Sequence, residues 1–342
     1  MILFRADYLR DTATRIFQAA GADPEPTSIL VDHLIAANLA GHDSHGVQHI
    51  PGYVRAVQEG RVQPNAAPVV LRETPVSALV DGQFTFGQIS ARVGTEVAIA
   101  KAKSAGVAAV GVVRCTHIGR LGTYSTLAAE QGVVLMVTIG AMLPATAPFG
   151  GRKPVFGTNP FSFGFPAADR PDVMIDFATS TIAAGKVMLA QAKRESVPPG
   201  CLLDQDGNPT TDPKALSNGG MLLPFGGHKG SALATLAALL SQVLVPAAET
   251  GGGQLQTGTF IVGIDAGIFR EKSKVEAETD EVIDQIKAIP PASGFAEVMV
   301  SGEPELRTAD RRRQEGIPIP EDTWAAILST AHGLGVEIPT AT

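Results

Sequence analysis

Three imidazoles, a carboxylate and a hydroxyl fall close together at His42, Asp43, Ser44, His45 and His49. Such a group can ligate a metal, which needs converging nitrogen and oxygen donors. It can also supply a general acid or base, an imidazole steered by a hydroxyl and a carboxylate. Or it can simply satisfy backbone groups where a helix ends. Spacing leaves all three readings open.

A second candidate is His117, followed by Gly119, Arg120 and Gly122. The glycines leave room for close approach, and a guanidinium can grip a carboxylate through two parallel N–H bonds. A turn whose histidine bonds to backbone has the same pattern. Asp176 emerges from an apolar run, a place from which a carboxylate could orient a catalytic histidine. The Ala178, Thr179 and Ser180 that follow read as the start of a helix running past Lys186, with the two hydroxyls as its caps. In Gly226-Gly227-His228-Lys229, bare amides at a helix N-terminus and an added positive charge offer a seat for a pyrophosphate. The glycine fingerprint of the common dinucleotide fold and the phosphate-binding lysine loop are both absent from the sequence. A dinucleotide therefore needs another kind of fold.

The elements that position these residues follow from periodicity. Leu9, Ala13, Ile16, Phe17 and Ala20 recur at helical spacing, with Gly21 and Pro24 as the stop. Thr27 and Ser28 can cap a second helix to Leu39, so the His42 cluster lies on a loop at a helix end. A short helix spans about Tyr53 to Glu59, and Val69–Leu71 and Ala78–Asp81 are strand-like. A helix from Gln88 to Ser104, a buried strand from Val107 to Val113, a helix from Tyr124 to Gln131 and a strand from Val133 to Ile139 alternate as in an α/β sheet. Asp204 to Pro209 resembles half a calcium loop, but it lacks the closing glutamate and reads as a hairpin turn. Ser231 to Val243 is a long apolar helix, Gly251-Gly252-Gly253 a flexible connection, Glu271 to Ile289 a charged helix, and Trp324 to His332 a last helix.

Composition narrows the functional classes. The 342 residues are 44% hydrophobic and 18% charged, enough for a substantial core and more than one sub-domain. The net charge of −7 is spread along the chain and gives no electrostatic footprint for nucleic acid. Cys115 and Cys201 form neither a disulfide framework nor a paired-cysteine motif, which fits a reducing, cytoplasmic setting. The N-terminal apolar stretch is too short for a secretory signal, and Ala232 to Val245 is too short to span a bilayer. No membrane partner is expected.

In order along nearly the whole chain, Gly41-His-Asp-Ser-His-Gly-Val47, His117-Ile-Gly-Arg-Leu-Gly122, Ala147-Pro-Phe-Gly-Gly151, Gly157-Thr-Asn-Pro160, Asp176 to Ser180 with Gly185-Lys186, Gly227-His-Lys-Gly230 and Gly316-Ile-Pro318 resemble the type 2 malate/L-lactate dehydrogenases. That resemblance implies an α/β fold with a mixed sheet, unlike a Rossmann sheet, that binds NAD or NADP. It implies a helical unit built from both chain ends (1–75 with 290–342), a small α/β segment (76–125), a nicotinamide-binding domain (126–289), and a homodimer. The implied reaction is hydride transfer between the nicotinamide and a small 2-oxo or 2-hydroxy acid. Ser44 and His45 would be catalytic, supported by Asp176, with His117 beside the nicotinamide. Ala178, Thr179, Ser180, His228, Lys229, Gly302, Glu303 and Arg311 would line the cofactor, and no metal would be held. Many members carry an arginine where this chain has His49, so the substrate carboxylate falls to Arg120 or His49. The rival from another class is a metal-dependent lyase or hydrolase using His42, Asp43, His45 and His49.

Overall fold

The computed structural model describes residues 1–140, 144–247 and 258–339. The chain opens with β1 (Ile2–Phe4), α1 (Ala6–Ala19), α2 (Pro24–Leu39) and α3 (Ile50–Gln58), and two 3-10 turns, Asp43–His45 and Val47–His49, join α2 to α3. Next come β2 (Val69–Thr74), β3 (Ser77–Asp81), α4 (Gly87–Ala105), β4 (Val107–Val113), α5 (Gly122–Ala129), β5 (Val133–Ile139), β6 (Phe161–Phe165) and β7 (Val173–Phe177). They are followed by α6 (Ala184–Lys193), β8 (Leu202–Leu203), β9 (Pro209–Thr210), α7 (Lys214–Ser217), β10 (Met221–Leu222) and α8 (His228–Ala238), which continues as a π-helical segment, Leu239–Leu244. The chain then forms β11 (Thr259–Asp265), α9 (Lys272–Lys287), α10 (Glu303–Glu315), β12 (Ile317–Ile319) and α11 (Glu321–Gly333).

Within the described residues the main sheet runs β2-β3-β4-β11-β5-β6-β7. Only β3 and β4 pair in parallel, and the other neighbours are antiparallel. This is the expected α/β mixed sheet. Strands β4 and β5 begin and end where their β-branched runs predict. Between them lies β11, a strand from far down the chain that the sequence reading missed. Beneath the sheet, Val110, Val112, Leu135, Val137 and Ile261 pack on Ala98 and Ala102 of α4 without measurable exposure. Removing each Val, Leu or Ile of this layer from water contributes roughly 1.5–3 kcal/mol. A Cβ on Gly94 would sit 2.6 Å from Val112, so this glycine lets α4 lie close on β4.

A second core joins the two chain ends. Phe4, Leu9, Ile16 and Phe17 pack with Leu30, Leu34, Ile317 and Ile327, and β1 pairs antiparallel with β12. Helix α10 thereby comes to lie on α2, next to the polar turns.

Several local expectations are corrected. Pro24 opens α2 instead of merely ending α1: Asp23 is extended and Pro24 takes the first helical position, where a missing N–H costs nothing. Thr179 and Ser180 are not helix caps, because α6 starts only at Ala184; they run extended, Thr179 N–H bonding Thr158 O at 2.8 Å and Ser180 bridging to Pro224. The apolar helix begins at His228 rather than Ser231, and the basic residues 311–313 lie inside α10. Asp204 to Asn208 is indeed the turn of the β8–β9 hairpin, closed by Gly207 N–H on Asp204 O at 3.1 Å. The glycine run 251–253 lies outside the described residues.

Candidate active site

Helix α2 ends in a Schellman turn: Gly41 takes φ +86°, and His42 N–H bonds Ala37 O at 2.9 Å. The chain is thereby thrown into the polar cluster. Asn38, in the last turn of α2, holds the cluster from below, donating to Asp43 Oδ1 at 2.7 Å and accepting from Val47 N–H at 2.8 Å. Gly46 is required here, since a Cβ would fall 2.1 Å from Asn38 Oδ1. From the far end of the sequence, Arg312 of α10 donates to both oxygens of Asp43 and also to Asn38 O. His42 meets Glu305 of α10 at 3.3 Å, and that bond holds the Glu305 carboxyl below the usual range.

The clamp leaves Ser44 and His45 free. Ser44 Oγ lies 3.0 Å from His45 Nδ1, and Gly185 lets α6 approach Ser44, because a Cβ there would lie 2.8 Å from Ser44 Cβ. Burial, together with repulsion from His49, His42 and Arg120, pushes His45 down to about 4, so it is neutral at pH 7. His49 Nε2 donates to Ser44 O at 2.7 Å and its ring stacks on Tyr53 at 5.3 Å. Burial lowers His49 too, with the bond to Ser44 opposing. It is a neutral neighbour, not a fixed cation.

His117 stands beside these rings, 4.8 Å from His49 and 5.9 Å from His45 between centroids. Tyr53 OH contacts its Nδ1 at 2.6 Å, and Gln88 Nε2 donates to that hydroxyl at 2.7 Å. The crowding protein, with His49, His45 and His33 close by, holds His117 well below the ordinary histidine range.

Arg120 is 8% exposed. Its backbone N–H donates to His33 Nε2 at 2.9 Å, so His33 is neutral, pushed down to about 3 chiefly by burial. The glycine at 119 leaves its space to His33, not to a ligand: a Cβ there would lie 2.2 Å from His33 Nε2. In the Arg120 guanidinium, Nη2 touches Met174 Sδ at 3.5 Å, while the buried Nε makes no hydrogen bond among the described residues and pairs only loosely with Asp176 at 3.9 Å. Asp176 accepts from Gly122 N–H at 2.7 Å, at the head of α5. Burial pushes Asp176 up, against the pull of Arg120 and of that N–H. Asp176 thus serves Arg120 directly; no hydrogen bond joins it to His45.

The remaining predicted residues divide. Ala178 to Ser180 run from Asp176 toward an open cleft of about 510 Å³ whose lining includes Phe149, Gly150, Thr181, Gly226 and Gly227. His228 and Lys229 are exposed at the start of α8 beside it, and the His228 ring meets Phe149 edge-on at 6.0 Å. Gly302 is buried on β7, where a Cβ would lie 3.3 Å from the Met174 backbone. Glu303 is held by Lys287 at 2.7 Å, and Arg311 points to solvent. The four donors of the metal reading are engaged elsewhere, His42 by Glu305, Asp43 by Arg312 and Asn38, and His45 and His49 by Ser44, and no cluster of three or more His, Cys, Asp or Glu able to hold a metal occurs among the described residues.

Sequence reasoning missed His33, Asn38, Gln88, Glu305 and Arg312, and took Tyr53 only as the start of a helix. All but Asn38, whose side chain binds Asp43 and Val47 close by, act through a contact between distant segments. The one local signal was the unusual run of polar residues at the end of α2.

Residues 4–328 match the malate/L-lactate dehydrogenase family. Hydroxycarboxylate dehydrogenase B of Escherichia coli K12 is 36% identical over 97% of this chain and 94% of its own. L-sulfolactate dehydrogenase of Methanocaldococcus jannaschii is 35% identical over 94% of each. The solved structure of that archaeal enzyme superposes with a TM-score of 0.90 over 98% of both chains, and malate dehydrogenase of Entamoeba histolytica with 0.93 over 99% of both. The sheet, the joined chain ends and the match in sequence agree: this chain is an oxidoreductase of the malate/L-lactate dehydrogenase family.

Proposed function

We propose that the protein moves a hydride between NAD(H) or NADP(H) and the carbonyl carbon of a small 2-oxo acid, with His45 giving and taking the proton. The observation that carries this is the meeting of a neutral imidazole, His45, with a buried guanidinium, Arg120, whose Nε makes no hydrogen bond among the described residues. An anionic substrate with a carbonyl next to its carboxylate answers both.

In this reading Arg120 takes the carboxylate, and Asp176 and Met174 keep the guanidinium in place. His49, neutral and tied to Ser44 O, shapes the pocket without adding charge. Arrival of the carboxylate raises the His45 pKa, since a nearby anion favours the imidazolium. His45 can then protonate the developing alkoxide in reduction and accept the hydroxyl proton in oxidation. Ser44, able to donate or accept at Nδ1, serves both directions.

The cofactor fits on two observations. Gly226 and Gly227 take φ +56° and +61° at the head of α8, and Gly150 faces the same cleft, so backbone can approach a pyrophosphate closely. Ala178 to Ser180 lead from there to Asp176, and His117 stands beside His45. When bound, the nicotinamide supplies or receives the hydride. Glu303 and Arg311, one ion-paired and one exposed, are weaker candidates. The apolar outer face at Leu239, Val243 and Leu244 accords with a homodimer. No helix among the described residues is long and apolar enough to cross a membrane.

The test is absorbance at the reduced-nicotinamide band, with NADH and NADPH separately, against pyruvate, oxaloacetate, 2-oxoglutarate and phenylpyruvate. Oxidation of one cofactor by one of these acids supports the reading. Binding of neither cofactor would remove it.

A further inference from the structure

His117 shows a chain of hydrogen bonds that the proposed chemistry does not yet use. Gln88 is 1% exposed, and among the described residues its Oε1 has no partner, so its donation from Nε2 to Tyr53 OH is its one side-chain bond there. A hydroxyl that accepts from Gln88 has its own proton left to give, and it lies 2.6 Å from His117 Nδ1. Tyr53 is buried, which raises its pKa and keeps that proton on the oxygen. The His117 ring, although crowded by these neighbours, keeps solvent-accessible surface, and its Nε2 makes no hydrogen bond among the described residues.

We infer that Gln88 and Tyr53 are positioning residues that hold His117 as the neutral tautomer protonated on Nε2, presenting Nε2–H as a donor to a carbonyl oxygen of whatever lies beside His45. The order is one-way. Gln88 gives to Tyr53, Tyr53 gives to Nδ1, and the proton of the neutral ring is left on Nε2. Protonating Nδ1 would require the hydroxyl to turn and the buried Gln88 amide to rotate so that its Oε1 accepts. The device therefore also keeps His117 from becoming a second imidazolium next to His45. The groups that face it are His45 and His49 on the turns, His33 on α2 and Tyr53 on α3.

The consequence for turnover rests on the hydride-transfer reading, but the tautomer can be measured without turnover, so the two fail separately. The experiment is long-range proton–nitrogen NMR of the cofactor-free, 15N-histidine-labelled full chain, with His117→Asn assigning the signal. The wild type is expected to show His117 neutral and protonated on Nε2 at pH 7. Tyr53→Phe keeps the ring and every charged neighbour but removes the bond that favours the neutral form, so the His117 midpoint should rise by up to about one pH unit. Gln88→Met should raise it less. A proton on Nδ1 in the wild type would overturn the inference, and so would an unchanged midpoint in Tyr53→Phe. The wild-type spectrum decides even if the variant does not fold.

Discussion

Arg312 closes on Asp43 with both arms of its guanidinium, at 2.6 and 3.0 Å, across 269 residues of sequence. This pair fastens the turn that carries Ser44 and His45 to α10. Asp43 was a candidate metal ligand from its spacing, yet its oxygens are taken by Arg312 and Asn38. Arg312→Ala should lower stability by about 1–3 kcal/mol, the scale for a hydrogen-bonded charge. It should also cut kcat about tenfold or more, because a loosened turn misplaces His45. Arg312→Lys should recover stability better than kcat, since a lysine cannot reproduce the two-armed contact. Urea unfolding and steady-state kinetics on both variants check this.

His45→Gln should lose about 10²- to 10⁴-fold in kcat while nicotinamide binding, read by calorimetry, persists. With His45 near 4 in the free protein, kcat/KM for reduction should fall as pH rises above that value, because reduction needs the imidazolium. Oxidation should instead be level above it and fall below.

Acid should destabilise the fold. The folded values of about 3 for His33 and about 4 for His45 lie below the ordinary 6.5, so the unfolded chain takes up protons first. Their contribution is intact above pH 6.5 and is lost as pH falls toward 4. At pH 5 each costs roughly 2 kcal/mol by linkage. Asp176, raised by burial, opposes this in part. Urea midpoints measured from pH 8 to 5 should drop, and His33→Gln should flatten the drop.

Arg120→Ala should raise KM for 2-oxo acids by about 10- to 100-fold, the loss expected for charge-assisted bonds to a carboxylate. His49→Ala should raise it far less, because His49 is neutral and bonded to Ser44 O. An unchanged KM in Arg120→Ala would move the clamp elsewhere.

Much of the frame was legible because it is written locally. The β-branched runs Val107–Val113 and Val133–Ile139 gave two strands to the residue, and glycines at 41 and 106 marked helix ends. Strand β11 was not legible as the partner of both, since strand order is set by packing between distant segments. The same holds at the site. His45 and Arg120 stand out by type and spacing, but the Gln88–Tyr53–His117 chain and the Arg312 clamp exist only once four separate helices and a strand end have met. Thr179 and Ser180 misled because hydroxyls after a strand suit a helix start as well as an extended segment, and pairing with Thr158 and Pro224 decided it.

The most direct test of the central claim is transfer of label from nicotinamide deuterated at C4 to the organic acid. The reduced cofactor that proves active is prepared with deuterium on each face in turn, and the 2-hydroxy acid is analysed by mass spectrometry and NMR. The account predicts one deuterium at C2 from one face alone, and none from solvent deuterium. A product that takes its C2 hydrogen from water would contradict hydride transfer.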